Sequence, residues 1–64
     1  MNKAKLTSVK ILEDLYKRFK QTTVNTKMTL QKLTNRSIDL YLTDEIYKNK
    51  LETYDNLTIS GSNL

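Results

Sequence analysis

Residues 5–20, KLTSVKILEDLYKRFK, decide the fold that the sequence predicts, because the periodicity of the chain changes within them. The first half of this stretch repeats every two residues and places three β-branched side chains on one face. These side chains are Thr7, Val9 and Ile11. The alternation predicts a short strand over residues 5–11 with one apolar face. The spacing then becomes helical, which predicts a first helix over residues 12–24.

A second helix is predicted over about residues 29–50, beginning at Thr29, a residue type that commonly caps helix N-termini. Its apolar side chains cover an arc of roughly 200°, whereas those of the first helix cover roughly 100°. A chain of 64 residues rarely stabilises itself alone, so the wide arc predicts a homodimer with the second helix at its centre. The predicted dimer core consists of Val9, Ile11, Leu33, Ile38 and Tyr41.

The ends of the chain differ from the predicted domain, which spans residues 5–54. Residues 1–4 are predicted to form a flexible basic arm, and residues 55–64, which include the only glycine, a disordered tail. No stretch approaches the roughly 18 apolar residues of a membrane-spanning helix, and the start lacks the apolar run of a signal peptide. We therefore expect a cytoplasmic protein without a membrane partner.

The charged residues are unevenly distributed along the chain. Residues 1–36 hold nine Lys/Arg and two acids, a balance of +7, whereas residues 37–64 hold two Lys and five acids, a balance of −3. A basic N-terminal half is typical of a surface that faces a polyanion such as nucleic acid. A merely solvated basic surface would give the same pattern.

The composition excludes most enzyme chemistry. The chain has neither cysteine nor histidine, so it lacks thiolate nucleophiles and disulfides, and it lacks the commonest general base and metal ligand. The adjacent acids at 13–14 and 44–45 would diverge on helices, and one glycine cannot build a phosphate-binding loop. We expect no catalysis, no metal and no cofactor.

A single predicted strand requires a pairing partner. Because the chain offers no second strand, the simplest partner is the same strand of another copy, in an antiparallel two-stranded ribbon. The ribbon would bury its β-branched face on the helices and expose Leu6, Ser8 and Lys10. A two-stranded ribbon fits the major groove of DNA, where exposed side chains reach the base edges.

In these features the chain resembles the ribbon-helix-helix family of DNA-binding proteins, of the MetJ/Arc/CopG type. The resemblance covers about residues 5–45 and is carried by residues 9–20 (VKILEDLYKRFK), 28–33 (MTLQKL) and 37–42 (SIDLYL). Leu12 stands where many members have proline, and Lys27 stands near the usual loop glycine. The resemblance implies a mostly α fold with one short strand, as an obligate intertwined homodimer with an intermolecular β-ribbon.

The resemblance also implies a DNA interface. The base-reading positions correspond to Lys10, Ser8 and Leu6. The phosphate contacts correspond to the start of the second helix at Met28, Thr29 and Leu30, flanked by Lys27 and Lys32, with Lys3 and Lys5 reaching from the arm. The alternative for Thr29 is a plain N-cap without a DNA role.

The function expected from the sequence is sequence-specific repression of transcription by a dimer, or several dimers, on repeated double-stranded DNA sites. Small members of the family are commonly plasmid- or phage-encoded and control transfer, partition or copy-number genes. Three alternatives stay open: the antitoxin of a toxin–antitoxin pair, a helical interaction module without a DNA role, and a helix-turn-helix protein. The last would leave the β-branched alternation of Thr7, Val9 and Ile11 unexplained. No small-molecule effector is evident.

Overall fold

The computed structural model describes residues 2–55. These residues form three α-helices: α1 (Glu13–Thr22), α2 (Leu30–Thr43) and α3 (Glu45–Glu52). Residues 2–12 have no regular secondary structure, and a turn over residues 23–29 joins α1 to α2. The first residue of the predicted arm, and the predicted tail from residue 56 onward, lie outside the described residues.

The prediction of a strand over residues 5–11 is wrong, and with it the ribbon-helix-helix fold and its intermolecular ribbon. No part of residues 2–55 forms a strand. The period-two pattern specifies a two-faced segment but not the neighbour that a strand needs for its N–H and C=O groups. The strand preference of β-branched residues depends on that neighbour, and residues 2–55 contain no second strand.

Local interactions define both ends of α1, which lies inside the predicted range 12–24. The preceding residue, Leu12, offers no side-chain cap, but Glu13 and Asp14 lie in the first turn, where the helix dipole favours acids. At the other end the backbone N–H and the hydroxyl of Thr23 both donate to the Phe19 carbonyl, at 3.0 and 2.8 Å. These bonds use a carbonyl that the helix end would otherwise leave without a partner.

Thr29 is the N-cap of α2. Its side-chain Oγ1 accepts a hydrogen bond from the Lys32 backbone N–H at 3.1 Å, and its carbonyl accepts from Leu33 N–H at 2.9 Å. A threonine at this position satisfies one of the four N–H groups that a helix start leaves free.

The single helix predicted over residues 29–50 is divided at Asp44, which has extended backbone angles (φ −116°, ψ 106°). The Asp44 N–H donates to the Leu40 carbonyl at 2.7 Å and closes α2. Its Oδ1 accepts from the N–H groups of Ile46 and Tyr47, at 3.0 and 3.2 Å, and opens α3. Aspartate prefers an N-cap to a helix interior because its carboxylate bonds nearby N–H groups.

α3 packs back on α2, and these two are the only helices of residues 2–55 that bring Cα atoms within 8 Å of each other. The Tyr41 hydroxyl on α2 donates to Glu52 Oε2 on α3 at 2.6 Å. Lys48 Nζ lies 5.9 Å from the centre of the Tyr41 ring, within the range of a cation–π contact. Tyr41, which the sequence places in a dimer core, is half-buried beside this helix of its own chain.

Replacing Tyr41 with phenylalanine should remove the high-pH phase of the tyrosine titration. The hydrogen bond to Glu52 raises the pKa of the Tyr41 phenol above its ordinary value of 10.0, and desolvation and the carboxylate charge act in the same direction. The contact is therefore present below pH 10 and is lost as pH rises through the raised pKa. Ultraviolet absorbance of tyrosinate in wild type and Tyr41→Phe measures this phase. A high-pH phase that persists in Tyr41→Phe would contradict the assignment.

Candidate nucleic-acid interface

Five predicted DNA-contacting lysines form two groups in the structure. Lys3, Lys5 and Lys10 lie along the irregular segment 2–12, and Lys27 and Lys32 lie at the start of α2. All five side chains are exposed.

The two lysines at the start of α2 are brought together by a direct contact. Lys32 Nζ donates to the Lys27 carbonyl at 2.9 Å, which places its ammonium group beside the first turn. The N–H groups of Leu30 and Gln31, the first two of the helix, have no intrahelical acceptor because of helix geometry. Ammonium groups next to free N–H groups at a helix N-terminus favour a bound anion such as a phosphate.

Two of the other predicted phosphate contacts at this end, Met28 and Thr29, are already engaged within the chain. The Met28 N–H donates to Thr26 Oγ1 at 3.1 Å, and the Thr29 hydroxyl is occupied as the N-cap. Met28 and Leu30 are half-buried. Residues 28–30 are uncharged, so the exposed positive charge at the start of α2 comes from Lys27 and Lys32.

The predicted base-contacting residues are all exposed, and Leu6 retains 98 % of its accessible surface. Without a strand, Leu6, Ser8 and Lys10 no longer alternate with a buried face, so the ribbon geometry gives no reason to group them. They remain neighbours on one exposed basic segment.

Within the predicted dimer core, Tyr41 contacts Glu52 and Lys48 on α3 of its own chain. The other four residues are exposed, and no residue within 2–55 is buried. They are Val9, Ile11, Leu33 and Ile38. The described chain therefore has apolar surface available for another molecule.

Sequence reasoning missed the cluster that holds α3 on α2, formed by Tyr41, Asp44, Lys48 and Glu52. One signal was available: Asp44 is a good N-cap residue placed inside an apolar helical pattern, and Glu45 follows it in what becomes a first turn. The Tyr41–Glu52 contact spans eleven positions and had no local signal.

The described part of the chain was searched for metal-binding groups and for membrane-spanning helices. Residues 2–55 contain no group of three acidic, histidine or cysteine side chains that could hold a metal ion. None of their helices has the length and apolar character needed to cross a bilayer.

No family model, curated protein or solved structure matches the chain.

Proposed function

We propose that the protein binds double-stranded DNA and represses transcription by occupying promoter sites. The observation that carries the proposal is the separation of charge, with a balance of +7 on residues 1–36 against −3 on the remainder. Lysines that neutralise phosphates release counterions, which supplies most of the affinity of a DNA-binding protein. The predicted base contacts of Lys10, Ser8 and Leu6 depended on the ribbon, so Lys10 is grouped with the other four lysines as a phosphate contact.

The irregular segment 2–12 can extend along the sugar–phosphate backbone of DNA. An extended chain spans up to about 3.3–3.6 Å per residue, so Lys3 and Lys10 can lie up to about 25 Å apart. That length allows the lysines to contact successive phosphates along one strand while the start of α2 binds another. Five lysines per chain give a predicted slope of about −4.5 for the logarithm of affinity against the logarithm of salt.

Fluorescence anisotropy with a random-sequence duplex tests the proposal. Wild-type binding should weaken roughly 500-fold between 50 and 200 mM salt, as the predicted slope requires. Lys10→Ala should lower the slope by about 0.9 if Lys10 contacts a phosphate, and leave it unchanged if Lys10 contacts bases. Lys50→Ala, on the acidic half, is the matched control and should not change the slope. Absence of binding at 50 mM salt would refute DNA binding.

A second candidate function is that of a helical interaction module, and one observation favours it: no residue within 2–55 is buried, so the chain presents apolar surface to a partner protein. The antitoxin alternative is a special case in which residues after α3 bind a toxin, and most of that segment lies outside the described residues. A chain that fails to bind duplex DNA but co-purifies with a neighbouring gene product would favour this candidate.

A further inference from the structure

The segment before α1 makes no polar contact with the rest of the described chain. No hydrogen bond joins residues 2–11 to any other residue within 2–55. All of these residues are exposed, and Leu6 and Val9 retain 98 % and 74 % of their accessible surface. Because backbone N–H groups are strong donors, those of this segment are available to a bound molecule.

The charge of the segment has a single sign and a sharp end. Residues 2–12 contain three lysines and no acid, whereas Glu13 and Asp14 follow at once in the first turn of α1. Phosphates attract the lysines and repel the two carboxylates. The part of the chain that is suited to close contact with a duplex therefore ends at residue 12, and α1 lies outside the groove.

The width of the segment determines which groove it fits. The major groove of DNA is about 12 Å wide and admits a helix or a two-stranded ribbon, whereas the minor groove is about 6 Å wide. An α-helix with its side chains measures about 10–12 Å across and is too wide for the minor groove. Residues 2–12 form neither a helix nor a paired strand, and they include the small side chains of Ala4, Thr7 and Ser8. A single extended chain of this kind fits the minor groove.

The hydrogen-bonding groups of the segment favour A·T base pairs. The floor of the minor groove carries only acceptors at A·T pairs, whereas a G·C pair adds the N2 amino donor of guanine. The free backbone N–H groups and the lysines are donors, so they match the first floor and oppose the second. An extended chain advances about 3.3–3.6 Å per residue, close to the roughly 3.4 Å between bases along one strand. A·T runs also have a narrow minor groove with an enhanced negative potential, which attracts lysine.

We propose that residues 2–12 bind in the minor groove of A·T-rich DNA. The distance of up to about 25 Å between Lys3 and Lys10 corresponds to about seven base pairs. The lysines keep their phosphate contacts on the walls of the groove, and the free N–H groups of the backbone contact the base edges. The inference rests on the proposed function, because it names the groove and the base composition of the duplex that the chain binds.

Fluorescence anisotropy of the full chain with three duplexes of equal length tests the assignment. One duplex contains A·T pairs, one G·C pairs, and one inosine·cytosine pairs. Inosine lacks the N2 amino group of guanine but keeps the acceptors that guanine presents in the major groove. Wild type should bind the A·T and inosine duplexes roughly tenfold more tightly than the G·C duplex.

The outcomes separate this inference from the proposed function. An inosine duplex bound as weakly as the G·C duplex would overturn the minor-groove assignment and leave DNA binding intact. Equal affinity for all three duplexes would do the same. Absence of binding to every duplex at 50 mM salt would refute both proposals.

Two double variants show whether the preference for A·T pairs belongs to this segment. Lys3→Ala with Lys5→Ala should lower the ratio of A·T to G·C affinity by about threefold or more, because these lysines lie where the groove potential is most negative. Lys27→Gln with Lys32→Gln is the control, since it should weaken binding to both duplexes and keep the ratio. Equal changes of the ratio in the two variants would contradict the assignment.

Discussion

Asp44→Ala should fuse α2 and α3 into one continuous helix. The substitution removes the carboxylate that accepts from the N–H groups of Ile46 and Tyr47. Loss of an N-cap destabilises the bent form by roughly 0.5–2 kcal/mol. Alanine in a helix interior is also favoured over aspartate, by up to about 0.7 kcal/mol. Together these terms shift the equilibrium toward the straight helix by about tenfold or more, and the α2–α3 packing, which includes the Tyr41–Glu52 and Tyr41–Lys48 contacts, opposes the shift.

A distance measurement between spin labels decides the outcome. The chain has no cysteine, so Gln31→Cys and Asn49→Cys introduce the only two thiols, both at exposed positions. In a continuous helix their Cα atoms lie about 27 Å apart, and in the bent form the distance is shorter because α3 returns to Tyr41. Dilution with unlabelled chain suppresses distances between copies.

Asp44→Asn is the control for the cap, because asparagine caps helix N-termini about as well as aspartate. It should keep the short distance, whereas Asp44→Ala should show the long one together with greater helix content by circular dichroism. If Asp44→Ala kept the short distance, the bend would be held by the α2–α3 packing and not by the cap.

Removal of the two lysines at the start of α2 should reduce DNA affinity far more than removal of two lysines elsewhere. Lys27→Gln with Lys32→Gln removes two phosphate contacts, which lowers the salt slope by about 1.8 and the affinity by about 60-fold at 0.1 M salt. The physical cause is the loss of released counterions. The Lys32 ammonium lies beside the free N–H groups of the first turn, which favour an anion at the same place.

Lys20→Gln with Lys50→Gln is the matched control, because it removes two exposed lysines outside the start of α2 and lowers the formal net charge from +4 to the same +2. Anisotropy titrations of both double variants at three salt concentrations separate local contacts from overall charge. The control should keep the wild-type slope. Equal losses in the two variants would mean that net charge alone attracts DNA and that the start of α2 has no special role.

The helices were predictable where their signals are local. The 3.6-residue periodicity around Leu15 and Phe19, the acids of the first turn and the Thr29 cap all act within one turn of the chain. These interactions form whatever the rest of the molecule does, and α1 and the start of α2 lie where the sequence places them. The lysines of the candidate interface were also predictable from the sequence, because their charge does not depend on the fold.

The strand and the length of the second helix were not predictable from the same signals. The alternation of Thr7, Val9 and Ile11 has structural meaning only beside another strand, and residues 2–55 supply none. Likewise the apolar spacing continues through Asp44, but the carboxylate captures two N–H groups of the next turn and the chain bends.

The sequence by itself determined the helical segments, the N-cap at Thr29, the absence of cysteine and histidine chemistry, and the separation of basic from acidic residues. Only the tertiary structure decided that residues 5–11 form no strand, that Asp44 divides the second helix, and that α3 returns to Tyr41. The difference has one physical reason. Caps and helical periodicity act between residues a few positions apart, whereas strand pairing and the Tyr41–Glu52 bond join groups that the chain must first bring together.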